Sequence, residues 1–366
     1  MSLSDIQVNR MRQALSKTIW KNLLLIMLLA SCSQDVPVQP IQAYMNHQTK
    51  IAPITTGTFT QPQAVDDYSP EMWDQEFAYM KELGIDLWIY QWVGDSKNKT
   101  TIYPTQLSGY TQASSYDQVE TALRLAKQYD MQVFLGLVFN DDWWQKEGSD
   151  RDWLLKEARE MNSVADELYA RYFARYPDTF AGWYINWEMD NFAGYNRRVK
   201  HQQNIIEALQ LVSTHLETLH PNLPSSIAPF FNTAGGSSAE KYGKFWYEIM
   251  SKTGVDILML QDGIGVNHAT LDQLTDWYEQ VCAGVRAAGK ACWSDLENFA
   301  TGKDENFYTS PSERVIQQHQ IAAQYVERII TFSFLSYMSP VDPDHSPYYQ
   351  AYKAYVDGLS RSNQTP

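Results

Sequence analysis

Two short segments place acidic residues where apolar runs end. One is Trp183–Asn191 (WYINWEMDN) and the other is Trp293–Phe299 (WSDLENF). Neither Glu188 nor Glu297 fits a helical face or a solvated pattern, because each follows strand-like apolar residues. Two carboxyls facing each other across a cleft can cleave a glycosidic bond. One protonates the departing oxygen, and the other attacks the anomeric carbon or activates a water. The acid has to keep its proton near neutral pH, which burial and a neighbouring carboxylate favour. The competing reading is that each glutamate is a salt-bridge partner at the rim of the fold.

Around this pair stand residues able to hold sugar hydroxyls. Asn186 and Asp190 flank Glu188. Asn140 ends one apolar run, Asn232 precedes the loop Thr233–Ser237, and Gln261 and Asp262 end another run. For each of these a capping role at the next helix competes with a ligand role. Trp92 and Trp143 lie at or just past strand ends, and Tyr337 is the aromatic nearest the end of the last run. Rings so placed can stack on the C–H face of a pyranose. The polar setting of Trp143 and Trp144, after Asn140-Asp141-Asp142, favours the ligand reading for them. Other chemistries lack their motifs. The seven His residues form no His-x-His after the first strand, no Gly-x-Ser-x-Gly elbow occurs, and no glycine-rich phosphate turn follows the first strand. Neither a metal nor a cofactor is expected.

The elements that must position these groups read as eight βα units. Strand-like runs occupy Pro53–Thr60, Ile85–Val93, Met131–Asn140, Phe180–Glu188, Ser225–Asn232, Val255–Gln261, Lys290–Glu297 and Ile329–Met338. Amphipathic stretches separate them, among them Pro70–Leu83, Tyr116–Tyr129, Trp153–Tyr176, Lys200–His220 and Ala239–Ser251. Gly84, Pro177, Pro221, Gly254 and Gly289 supply stops before the next strand. The alternation predicts an α/β fold, a single (β/α)8 TIM barrel, with its chemistry at the C-terminal strand ends. The connection 94–116, with Tyr103 and Tyr110, is long enough to serve as a lid or cleft wall.

Glutamates at the ends of strands four and seven resemble the signature of the clan A retaining glycosidases, which are (β/α)8 barrels. The likeness spans roughly residues 52–360. The chain also resembles a family of bacterial lipoproteins assigned by likeness to the glycosidases. The matching segments are Trp183–Asn191, Gln261-Asp262-Gly263-Ile264-Gly265 and Trp293–Phe299. The resemblance implies Glu188 as acid/base, Glu297 as nucleophile, and retention of anomeric configuration. It departs from the clan pattern at three places. Trp187 stands between Asn186 and Glu188, Leu260-Gln261-Asp262 replaces the strand-six aromatic, and the strand-eight Trp is absent.

The remaining features concern where the chain works. Residues 1–31 read as a leader: Arg10, Arg12, Lys17 and Lys21 precede the apolar run Leu23–Ala30. That run is too short to span a bilayer, which takes about 20 apolar residues. It ends in Leu29-Ala30-Ser31-Cys32, which resembles a bacterial lipobox and implies lipidation of Cys32. Residues 32–50 are expected to be a flexible tether and 51–366 the barrel domain. The implied location is the cell envelope, lipid-anchored at the outer membrane or on a periplasmic face. Formal net charge is −14, and losing the leader makes the rest more acidic still. That argues against nucleic acid, whose phosphates need a basic face. A monomer with a carbohydrate substrate is expected. Cys282 and Cys292 stand on a helix and the next strand, and the sequence leaves open whether they pair. A catalytically silent, glycan-binding barrel is the alternative function. Such a barrel needs aromatic platforms but no opposed carboxylates.

Overall fold

Eight parallel strands close on themselves in a computed structural model that describes Met45 and residues 49–362. The leader, Cys32 and all of the tether except Met45, Thr49 and Lys50 lie outside the described residues. The barrel strands are β1 (Gly57–Thr60), β2 (Leu87–Tyr90), β3 (Gln132–Gly136), β4 (Phe180–Ile185), β5 (Ser225–Ile227), β6 (Ile257–Gln261), β7 (Ala291–Glu297) and β8 (Ile329–Phe332). Each pairs with its sequence neighbours, and β8 returns to β1. This is the single (β/α)8 barrel expected from the eight runs, one strand per run.

The strands form because both of their faces are covered. Phe59, Ile89, Tyr184, Met259 and Ile330 interdigitate inside the barrel. Trp88, Tyr90, Trp183, Ile185, Leu258 and Leu296 face outward under the helices. Such near-continuous apolar runs are what a buried parallel sheet requires. Each fully buried large apolar side chain contributes about 1.5–3 kcal/mol. An exposed i,i+4 pair such as Glu240–Lys244 contributes only about 0.3–0.5 kcal/mol, so the two apolar layers dominate.

The principal helices are α1 (Pro70–Glu82), α2 (Gln118–Gln128), α3 (Arg151–Tyr172), α4 (Val199–Leu219), α5 (Ala239–Lys252), α6 (Leu271–Ala287), α7 (Ser312–Ala322) and α8 (Ser346–Ser362). Side chains set the starts of five of them. Ser69, Asp117, Asp150 and Ser238 each accept a first-turn N–H, and Thr270 with Gln273 forms a capping box. Gly84 and Gly289 follow α1 and α6 with φ of 79° and 74°, the left-handed stop that glycine supplies most readily. A disulfide joins Cys282 of α6 to Cys292 of β7.

Two expected elements differ. The run Met131–Asn140 is not one strand. After Gly136 the chain leaves the barrel, and Val138–Phe139 pairs with Gly94–Asp95 in a small four-stranded sheet that also takes in Thr100–Thr101 and Thr111–Gln112. This sheet absorbs the long segment 94–116, which packs away from the cleft. Tyr103 donates its hydroxyl to Glu167, and Tyr110 donates to Glu160, both on α3. The cleft wall comes instead from the β7 connection, where Phe299–Thr301 and Phe307–Thr309 form a hairpin.

Candidate active site

The cleft follows from the two-residue pleat of the strands. Phe59, Ile89, Tyr184, Met259 and Ile330 point into the barrel. Two residues on, at the C-terminal ends, the same face presents Gln61, Gln91, Gln261 and Phe332, with Glu188 four beyond Tyr184. On β7 the interior row ends in Asp295 and Glu297. Val266, Phe299, Phe307 and Tyr337 complete the lining from the loops.

Glu188 is 7% exposed and accepts one hydrogen bond, at 2.9 Å, from the Gln91 amide on its Oε1. Gln91 is held in turn. Its Oε1 accepts from the Gln61 amide at 2.9 Å, and Gln61 accepts from the Gln63 amide at 2.8 Å. The backbone beneath Glu188 is fixed from the other side. Trp187 faces outward and stacks on Trp143 at 5.6 Å and 7°, and the Trp143 indole N–H donates to the Glu188 carbonyl. Asn186 donates to the Gln91 carbonyl. Burial raises the Glu188 carboxyl to about 7, opposed only by the Gln91 hydrogen bond.

Glu297 is 5% exposed and is held by backbone. Its Oε2 accepts the Val266 N–H at 2.9 Å, with the Gly265 N–H also directed at the carboxylate. Gly265 has to be glycine here. A Cβ at this position would lie 2.9 Å from Glu297 Oε2 and 2.7 Å from the Phe299 carbonyl oxygen. Behind it Asp262 accepts the Glu297 and Ile264 N–H groups and, at 2.6 Å, the Gln318 amide of α7. Arg314, also on α7, donates to the carbonyls of Glu297 and Phe299. Burial and the Asp262 charge push the Glu297 carboxyl above the ordinary carboxylate range. The two N–H groups and Arg314 pull the other way. Among the described residues neither Glu188 nor Glu297 is closed in an ion pair with a basic side chain.

The other expected site residues separate into two groups. Gln261 and Tyr337 line the cleft with the two glutamates, Gln261 oriented by its amide on the Ala228 carbonyl. The rest are engaged elsewhere. Trp143 is corrected from a sugar platform to core, since it is 1% exposed and covered by Trp187. Trp92 stacks on Phe139 of the small sheet at 5.3 Å, outside the lining. Asn140 and Asn232 accept local N–H groups, from Asp142 and Ala234. Asp190 accepts from Phe192 and Ala193, and Asp262 and Asn186 support the glutamates from behind rather than face the cleft. Sequence reasoning passed over Asp295, Gln61, Gln91 and the wall Phe59, Phe299, Phe307 and Phe332. The pleat itself was the available signal, because residues two apart from a known inward position share its face.

Fold and cleft together define the class: this is a (β/α)8 barrel with a carboxyl-bearing cleft at the C-terminal strand ends, a fold it shares with solved glycoside hydrolases. The chain belongs to the family described as a domain of unknown function (DUF4434), which matches residues 55–344. No curated protein matches it. Among solved structures, it is similar to a provisionally assigned alpha-L-fucosidase from Bacteroides thetaiotaomicron VPI-5482. The two share 25% identity and a TM-score of 0.71, over 91% of this chain and 99% of that one. The endo-1,4-beta-mannanase of Rhizomucor miehei shares the fold at 12% identity and a TM-score of 0.54, over 86% of this chain and 98% of that one. The endo-1,4-beta-D-mannanase of Thermotoga petrophila RKU-1 does so at 12% and 0.51, over 76% and 87%.

Proposed function

We propose that the chain is a retaining glycoside hydrolase acting on an oligosaccharide or polysaccharide at the cell envelope or outside it. The observation that carries the reading is the sharing of one aromatic-walled cleft by Glu188 and Glu297, each buried and neither neutralised by a cation. In the first step the Glu297 oxygen not held by Val266 attacks the anomeric carbon. The carbon–oxygen bond to the leaving group breaks as the Glu188 proton moves to that oxygen. In the second step Glu188, now a carboxylate, takes a proton from water while the water oxygen displaces Glu297. The hydrogen-bond patterns suit these roles. Backbone N–H groups support Glu297 as an anion, whereas Glu188 has the Gln91 amide alone among the described residues. Phe and Tyr faces in the lining suit the C–H face of a pyranose.

The likeness at 25% identity to a provisionally assigned alpha-L-fucosidase makes an α-L-fucoside the first substrate to try. The lipobox-like segment ending at Cys32 supports an exported, lipid-anchored protein, and the Cys282–Cys292 disulfide suits an oxidising compartment. The test is a panel of nitrophenyl glycosides, α-L-fucoside first, with the first-formed anomer read by NMR. Retention with wild type, and loss of turnover but not of binding in Glu297→Gln, is the expected outcome. Inversion would remove the nucleophile role, and binding without turnover by the wild type would turn the reading to a glycan-binding barrel.

A further inference from the structure

Asp295 precedes Glu297 by two residues on β7 and shares its inward face, so the pleat sets it one step deeper, at the cleft floor. It is 3% exposed, and its Oδ1 is buried without a hydrogen-bond partner among the described residues. The titratable groups around it are Glu297 on its own strand, Asp262 just past β6, Tyr184 on β4 with Glu188 three residues beyond its end, and Tyr278 on α6. Arg314 of α7 is the cation that faces Asp262 and Glu297. Donors are shared unequally among the four carboxyls. Asp262 takes two backbone N–H groups and an amide, Glu297 takes backbone N–H groups, and Glu188 takes the Gln91 amide. A carboxyl with like charges around it and no donor on its buried oxygen is the one that keeps a proton. Burial, then Glu297, Asp262 and Glu188, accordingly hold Asp295 well above the ordinary carboxylate range.

We propose that Asp295 is a substrate-contacting group of the cleft: a neutral carboxylic acid whose hydroxyl donates a hydrogen bond to an oxygen of the sugar bound over the cleft floor. The proposal rests on the glycoside hydrolase reading. No bond to Asp295 forms or breaks during the reaction. Its proton keeps a third negative charge out of the floor and leaves Glu297 as the anion that attacks. A group that must be neutral and must donate can be replaced by an amide, whereas one that must be anionic cannot.

The experiment compares Asp295→Asn and Asp295→Ala in the full chain. On the glycoside cleaved by the wild type, Asp295→Asn keeps kcat/KM within about threefold, and Asp295→Ala loses about a hundredfold, the scale of one buried donor to a reacting substrate. A melting series run beside it needs no turnover. A carboxyl whose folded value is raised stabilises below its unfolded value, and that stability is lost as pH rises toward the folded one. The melting temperature of Asp295→Asn relative to wild type therefore climbs between about pH 5 and about pH 8. An Asn variant as inactive as the Ala variant makes Asp295 an anion and overturns the proposal. Full activity in the Ala variant removes the sugar contact, and a melting difference flat in pH removes the retained proton. A wild type that cleaves no glycoside sinks the hydrolase reading and the sugar contact with it, and the melting series still decides the proton.

Discussion

At the scale of residues the site depends on one amide. Among the described residues Gln91 is the only side chain hydrogen-bonded to the Glu188 carboxyl, and its hydrogen bond opposes the upward push of burial. If Glu188 delivers the proton, activity falls as pH rises through about 7, because the ionised form has nothing to give. Gln91→Leu removes the hydrogen bond that favours the ionised form, so the alkaline limb of kcat/KM should move to higher pH. A limb that stays put or moves down, measured on a substrate with a poor leaving group, would assign the titration to another group. Glu188 and Glu297 were legible in the sequence because each closes an apolar run. Gln91 and Asp295 were not, because inside a run only the pleat's phase tells inward from outward. Trp143 misled for a related reason. Its polar neighbours are satisfied elsewhere, Asn140 by the Asp142 backbone N–H and the Asp142 carboxylate by Lys97, while the ring turns under Trp187.

At the scale of elements, the β6 and β7 ends act as one unit. The connection after β6 supplies Asp262 and the N–H groups around Glu297, and α6 runs from that connection back to β7. The disulfide closes this unit over 10 residues, a loop whose cross-link is worth about 3 kcal/mol by the chain-entropy account. Replacing Cys282 and Cys292 together by Ala should lower unfolding stability in urea by about that amount. An unchanged midpoint would mean that α6 docking alone holds β7. The eight strands were legible from run length and glycine stops, but their ends were not. Ile329–Met338 stops being strand at Phe332 and becomes a helical turn at Phe334–Tyr337. The Phe299–Thr309 hairpin escaped notice because it follows a run already complete at Glu297.

At the scale of the whole molecule, an acidic chain buries several carboxyls that its fold prefers protonated. Glu76 is raised to about 7 and Glu147 to about 8, both chiefly by burial, and Glu188 to about 7 for the same reason. Each folded value lies above the unfolded one, so each contributes stability that is present below about pH 4.5 and is lost as pH rises toward 8. The half-buried Asp150 and the exposed Glu240 are shifted down and act oppositely, at lower pH. The barrel should therefore resist urea better at about pH 5 than at about pH 8.5. A midpoint that rises over that range would mean these carboxyls ionise without penalty. Overall acidity was plain in the composition, whereas which acids go inside depended on the barrel.

The glutamines behind Glu188 form a string with a single direction: Gln63 to Gln61, Gln61 to Gln91, Gln91 to Glu188. Every link is a carboxamide N–H, and a carboxamide holds its hydrogens firmly enough that the string can aim a carboxyl but cannot conduct a proton to it. Glu188 therefore gains no proton along this string. The hydrogen it gives away in each turnover returns through the open face of the cleft, the same door by which the sugar leaves.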